Sequence, residues 1–118
     1  MVEYGSSESS ESNAKISGVR LGFNDKGIMD VMIFLDYGGI KQGFGGYCLG
    51  NKDKASGSLG YVIHGILKTL EVDDWNKLEG QPVRVVGNHN KVEKIGHFLK
   101  DNWFSFEECF AKMKGEKQ

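Results

Sequence analysis

The sequence predicts an α+β fold, an antiparallel β-sheet in the order βββ-α-ββ-α with two helices packed on one face. Three observations predict it. Apolar residues alternate with period two through residues 16–35, and a stripe at i, i+3, i+4 and i+7 begins at Leu59. The strand-like segments are joined by turns too short for a crossover helix, so their pairing is antiparallel.

The first strand is placed at 16–23, where Val19, Leu21 and Phe23 alternate with Gly18, Arg20 and Gly22. Asn24-Asp25-Lys26-Gly27 reads as a turn, since Asn, Asp and Gly tolerate positive φ. In the second strand, 28–36, one face is wholly apolar (Met29, Val31, Ile33, Leu35), and the other mixes Ile28, Met32 and Phe34 with Asp30 and Asp36. Tyr37-Gly38-Gly39 turns the chain into a third strand at 40–49, where Gly43, Gly45 and Gly46 break the alternation and suggest a bulge or a close backbone approach.

After a polar loop at 50–57, Leu59, Val62, Ile63, Ile66, Leu67 and Leu70 form an amphipathic helix, with Ser58 as its N-cap. Asp73 or Asp74 caps a short turn through Trp75 and Leu78 that Gly80 ends. Pro82 opens a hairpin, with strands at 83–86 and 92–99 around Asn88-His89-Asn90-Lys91. Ser105-Phe106-Glu107-Glu108 fits a capping box, and Phe106, Cys109, Phe110 and Met113 give the stripe of a last helix over 106–113. Residues 15–114 form the single domain. Residues 1–14, rich in Ser and Glu, read as a disordered tail, and 115–118 as a short C-terminal one.

Composition excludes several classes. A chain of 118 residues holds one core, not two. A net charge of -1 gives no overall pull toward nucleic acid or anionic lipid, and no apolar run approaches the ~20 residues of a membrane span. No charged segment followed by an apolar one stands at residues 1–14, so no secretory signal is expected, and two cysteines are too few for a disulfide scaffold. The expected location is the cytoplasm. The anomaly is glycine, 17 residues, about twice the ordinary ~7% share.

The chemistry-bearing motifs are weak. The Gly-rich stretch from Asp36 to Tyr47 is no phosphate loop, because neither a helix nor Gly-Lys-Ser/Thr follows it. Gly43-Phe44-Gly45 fits the centre of an RNA-recognition signature, but Gln42 and Gly46 stand where a basic and an aromatic residue are wanted. His64, His89 and His97 share no metal-ligand spacing with Cys48 or Cys109, so neither metal nor cofactor is expected. Cys109 falls on a helix stripe as packing, and Trp103 is either a partner anchor or a plug between sheet and helix.

Leu35-Asp36-Tyr37-Gly38-Gly39, Gln42-Gly43-Phe44-Gly45-Gly46-Tyr47, Trp75-x-x-Leu78-x-Gly80, Ile95-Gly96-His97 and Lys100-Asp101-x-Trp103-Phe104 together resemble a group of small proteins encoded by bacteriophages and prophages. The resemblance spans 16–104. It implies a bacterial cytoplasm and a viral accessory role, and it carries no activity or catalytic residue to this chain.

The expectation is a non-enzymatic module that binds a host or phage protein, interference with host defence being one form. Its candidate residues are Asp36, Tyr37, Gly38, Gly39, Lys41, Gln42, Phe44, Gly45, Tyr47, His97 and Trp103. One alternative is single-stranded nucleic-acid binding, with Tyr37, Phe44 and Tyr47 stacking on bases and Lys41 near a phosphate. Another is a small hydrolase using Asp36, His97 and Asp101.

Overall fold

Asn24 N–H donates to the Ile28 carbonyl at 2.8 Å and Gly27 N–H to the Asn24 carbonyl at 2.9 Å, closing the turn from which the sheet grows. The structure, a computed structural model, describes residues 8–116. On either side of that turn β1 (Ser10–Phe23) and β2 (Met29–Asp36) pair antiparallel. β3 (Lys41–Gly45) adds to β2, while β4 (Pro82–Gly87), β5 (Val92–His97) and β6 (Trp103–Phe104) lie beyond β1. The result is one six-stranded antiparallel sheet, ordered β3-β2-β1-β4-β5-β6, with helices α1 (Ser58–Leu70) and α2 (Phe106–Glu116) outside it. The fold is α+β.

β1 is shared between two neighbours. Residues 10–15 pair with β4 and residues 15–23 with β2, and a register shift between Ile16 and Gly18 bends the strand where it changes partner. Patterning starts this strand at residue 16, yet it begins at Ser10. Residues 10–13 are exposed and only Ala14 among 10–14 is buried, so backbone pairing rather than apolar burial holds the segment. A hydrophobic pattern cannot register such a strand. Residues 1–7 of the expected tail lie outside the described residues.

Strand alternation sends Ile16, Val31, Ile33, Leu35, Phe44, Val83, Val85 and Ile95 to the inner face, where Val62 and Ile66 of α1 meet them. Burying each such side chain contributes roughly 1.5–3 kcal/mol. The sheet curls around this core. Gln42 Nε2 on β3 donates to the Asn88 carbonyl at 2.8 Å, and the Phe44 and Phe104 ring centroids are 6.3 Å apart. Phe106 of α2 joins Phe44 at 4.9 Å and Tyr47 at 4.7 Å.

Element ends depart from expectation in several places: β3 stops at Gly45 rather than at residue 49, and β5 at His97 rather than at residue 99. α1 is capped at Gly57, with Ser58 already helical. The hydroxyl that serves this turn is that of Ser56, which accepts Ser58 N–H at 3.1 Å. Trp103–Phe104 is a strand, β6, rather than a lead-in to α2. α2 runs past Gly115 to Glu116, and its Ser105 hydroxyl accepts Glu108 N–H at 3.3 Å, as the capping box requires. Among the described residues no helix is long and apolar enough to cross a membrane.

Candidate functional site

The register of the β1–β2 and β2–β3 pairs places Gly18, Phe34 and Gly43 in one row across the outer face of the sheet. Outward-facing Phe34 thus stands between two residues without side chains, and 37% of its surface is exposed. A shallow cleft of about 410 Å³ surrounds it, lined by Ser17, Gly18, Phe34, Lys41, Gln42 and Gly43. A Cβ on Gly18 would meet the ring only at 3.8 Å, an ordinary contact. One on Gly43 would meet the Met32 methyl at 2.9 Å, so that flexible chain end partly covers β3 there. Ser17 Oγ donates to the Phe34 carbonyl at 3.3 Å and ties the bulge of β1 to the same row.

Charge is arranged around this platform. Asp36 pairs across the sheet with Lys15 on one side and Lys41 on the other, and both lysines are exposed. The Asp36 carboxylate is turned into its own hairpin, where Oδ1 accepts Gly39 N–H at 2.7 Å and Gly38 N–H at 2.8 Å. The Gly39 and Gly38 bonds hold its pKa below the usual carboxylate range, and Lys41 and Lys15 add to the effect.

The other candidate residues are mostly engaged within the fold. Phe44, on the opposite face of β3 from Gly43, is 3% exposed and packs on Phe104 and Phe106. That corrects its candidacy as a surface contact: its pairing with core residue Ile33 fixes which way it points. Tyr47 is half-buried against Phe106 and Phe110, so it is an inward-packed residue rather than a stacking surface. Tyr37 is half-buried, and its hydroxyl donates to Gln42 Oε1 at 2.7 Å. Burial raises its pKa. Tyr37 and Gln42 line a second cleft of about 300 Å³ with Ser10, Ser12, Asn88 and His89.

Gly45 is a backbone device. It has φ 131°, and a Cβ there would lie 2.1 Å from the Val31 carbonyl oxygen. Val31 O accepts Gly46 N–H at 2.9 Å, so β3 leaves the sheet through the glycines that break the alternation. Trp103 covers Gly96, where a Cβ would lie 2.6 Å from its ring. Its Nε1 donates to Asp101 Oδ1 at 2.8 Å and the Arg84 guanidinium stacks 4.6 Å from its ring. The ring plugs the sheet's outer face, not the sheet–helix seam.

The hydrolase grouping is not assembled. Asp36 on β2 and His97 on β5 are three strands apart, roughly 14 Å at the usual strand spacing. Alternation also puts them on opposite faces, Asp36 beside inward Leu35 and His97 opposite buried Val83. His97 Nδ1 accepts the backbone N–H groups of Leu99 and Lys100 at 3.0 and 3.1 Å, and Asp101 is held by Trp103. Among the described residues no group of three His, Cys, Asp or Glu side chains is placed to hold a metal ion. Cys48 is exposed, and Cys109 packs partly against the core.

No family model, no curated protein and no solved structure matches the chain. The functional reading therefore rests on the residues themselves. Of these, sequence reasoning missed Phe34, which it left on the mixed face of a central strand. The signal was present: counting outward two residues at a time from the Asn24–Ile28 pair reaches Gly18 opposite Phe34.

Proposed function

We propose that the protein is a non-enzymatic binding module whose outer β1–β2–β3 face engages a protein segment. The observation that carries this is the Gly18–Phe34–Gly43 row, an exposed aromatic ring with bare Gly18 on one side and, on the other, Gly43 under the flexible end of Met32. On the Gly18 side an apolar side chain of a partner can lie against the ring without displacing any side chain of the sheet, which favours a preformed contact. Lys15 and Lys41 beside the row suit a partner that carries a carboxylate next to that apolar residue. The resemblance to phage and prophage proteins makes a host or phage protein the partner class, and interference with host defence one consequence of such binding.

The test is selection from a displayed random-peptide library followed by affinity measurement on the winners. Enriched peptides should pair an apolar residue with Asp or Glu. Phe34→Ala should weaken their binding by about tenfold or more while lowering stability by less than about 1 kcal/mol. Tyr61→Ala, at another exposed aromatic (50% exposed), should leave binding unchanged. No enrichment, or enrichment that Phe34→Ala does not weaken, overturns the reading. Salt-sensitive binding of a single-stranded oligonucleotide, lost in Phe34→Ala, would assign the platform to nucleic acid instead.

A further inference from the structure

The partner change of β1 leaves one stretch of strand edge open. β4 ends its pairing at residues 15 and 82, with Gln81 O still accepting Ile16 N–H and Ile16 O accepting Gly80 N–H. Beyond that point no strand among the described residues pairs with the β4 side of residues 18–23. Asn24 N–H bonds β2, so by the alternation of an antiparallel ladder Gly22, Arg20 and Gly18 also bond β2. Val19, Leu21 and Phe23 therefore turn their N–H and C=O groups outward. Leu21 and Phe23 are 44% and 46% exposed.

Open edges are ordinarily blunted by Lys, Pro or a covering loop. Residues 18–23 contain neither Lys nor Pro. Their one charge, Arg20, is drawn to Asp30 at 2.7 Å.

We propose that this edge pairs with the same edge of a second copy, giving a two-fold dimer in which Leu21 faces Leu21 across the axis. The occupant and the register follow from the strand's own chemistry. Direct partners in an antiparallel ladder share a face, so odd positions must meet odd ones. With Leu21 on the axis, Val19 meets Phe23 of the second copy and Phe23 meets its Val19. All three outward-turned residues then exchange both backbone groups. A shift of two residues in either direction leaves one of them unpaired, and one of those shifts sets Arg20 against Arg20, a like-charge pair.

In the proposed register Arg20 lies opposite Gly22, which is paired on its far side with Asp30. The bare glycine leaves the guanidinium a path to that carboxylate. Asp30 is 4% exposed, and among the described residues its Oδ1 has the ion-pair contact to Arg20 of its own chain but no aligned hydrogen bond. The second copy supplies a donor to it. Isologous pairing also closes, leaving no new edge to propagate.

The inference does not rest on the Phe34 platform, and Phe34→Ala should leave it intact. Sedimentation of the full chain, up to about 1 mM, should show a monomer–dimer equilibrium. Leu21→Lys, a change at an exposed position, should weaken association by about tenfold or more with an unchanged circular dichroism spectrum. Leu21→Cys should form a disulfide-linked dimer under mild oxidation, mapped by mass spectrometry to position 21 in both chains, because hydrogen-bonded pairs set Cα atoms ~5.5 Å apart. A monomer at every concentration overturns the proposal. So does association that survives Leu21→Lys, or a link that maps only to Cys48.

Discussion

Trp103 lies over Gly96, and Phe34 stands between Gly18 and Gly43, on the same outer face of the same sheet. The first ring is finished. Its N–H is bonded to Asp101, Arg84 stacks 4.6 Å away, Lys94 Nζ sits 5.1 Å off, and the glycine beneath is filled by the ring itself. Arg84 is fixed in turn by the carbonyls of His97 and Lys100 and by Glu11. The second ring has a glycine on each side and, among the described residues, no cation within stacking reach. An aromatic beside a glycine is thus a plug where the chain supplies a partner for every face of the ring, and a contact surface where it does not. Composition cannot separate the two, because both are glycine and aromatic residues.

Alanine at the glycines breaks the comparison most sharply. Gly96→Ala forces a methyl group into the Trp103 ring and should lower stability by roughly 1–3 kcal/mol in denaturant titration. Gly18→Ala should cost far less by the same measurement, since its nearest neighbour is 3.8 Å away. Equal losses would show that the Phe34 row is packed as tightly as the Trp103 row.

Arg84→Ala comes next. It removes hydrogen bonds to the His97 and Lys100 carbonyls at 3.0 and 2.6 Å together with the stacking on Trp103, and it should cost about 1–2 kcal/mol and change the Trp103 fluorescence. A silent Arg84→Ala would mean that Gly96, Asp101 and Lys94 suffice to hold the Trp103 ring.

The smallest effect lies beside the open row. The folded-state pKa of Asp36 is depressed, so its contribution to stability is fully present above the unfolded value, 3.8, and is lost as pH falls through the folded value. Asp36→Asn, which keeps an acceptor for Gly38 and Gly39 without a titrating group, should flatten the loss of stability below about pH 4. Thermal melts at pH 3 and pH 6 check this. An acid loss as steep as the parent's would mean that other groups carry it, and a flat profile at a lower melting temperature at both pH values would mean that the charge, rather than the acceptor geometry, secures the hairpin.

Much of the fold was legible in the residues. The period-two alternation through Val31, Ile33 and Leu35, the stripe from Leu59 to Leu70 and the Asn24–Gly27 turn each express a local rule that tertiary packing did not override. Ser10–Asn13 was not legible, because those residues are ordered by the backbone of β4 and bury almost nothing. Trp103–Phe104 was not legible as a strand either, since two residues hold no period. Within the candidate site, Lys41 and Gln42 were found in the Gly-rich stretch and do line the open row. Phe44 and Tyr47 were drawn from the same stretch, but Phe44 is in the core and Tyr47 packs half-buried against it.

The sequence by itself determined the order of every strand and helix but β6, the antiparallel pairing and the apolar face of each long element, because these follow from side-chain periodicity and turn chemistry within a few residues. Tertiary structure alone decided which glycines stay bare. Whether a position without a side chain is covered depends on what the neighbouring strand, the curl of the sheet and a distant arginine bring to it. Those distances are set by how paired strands and the side chains across them lie in space, which the period of a single strand does not encode.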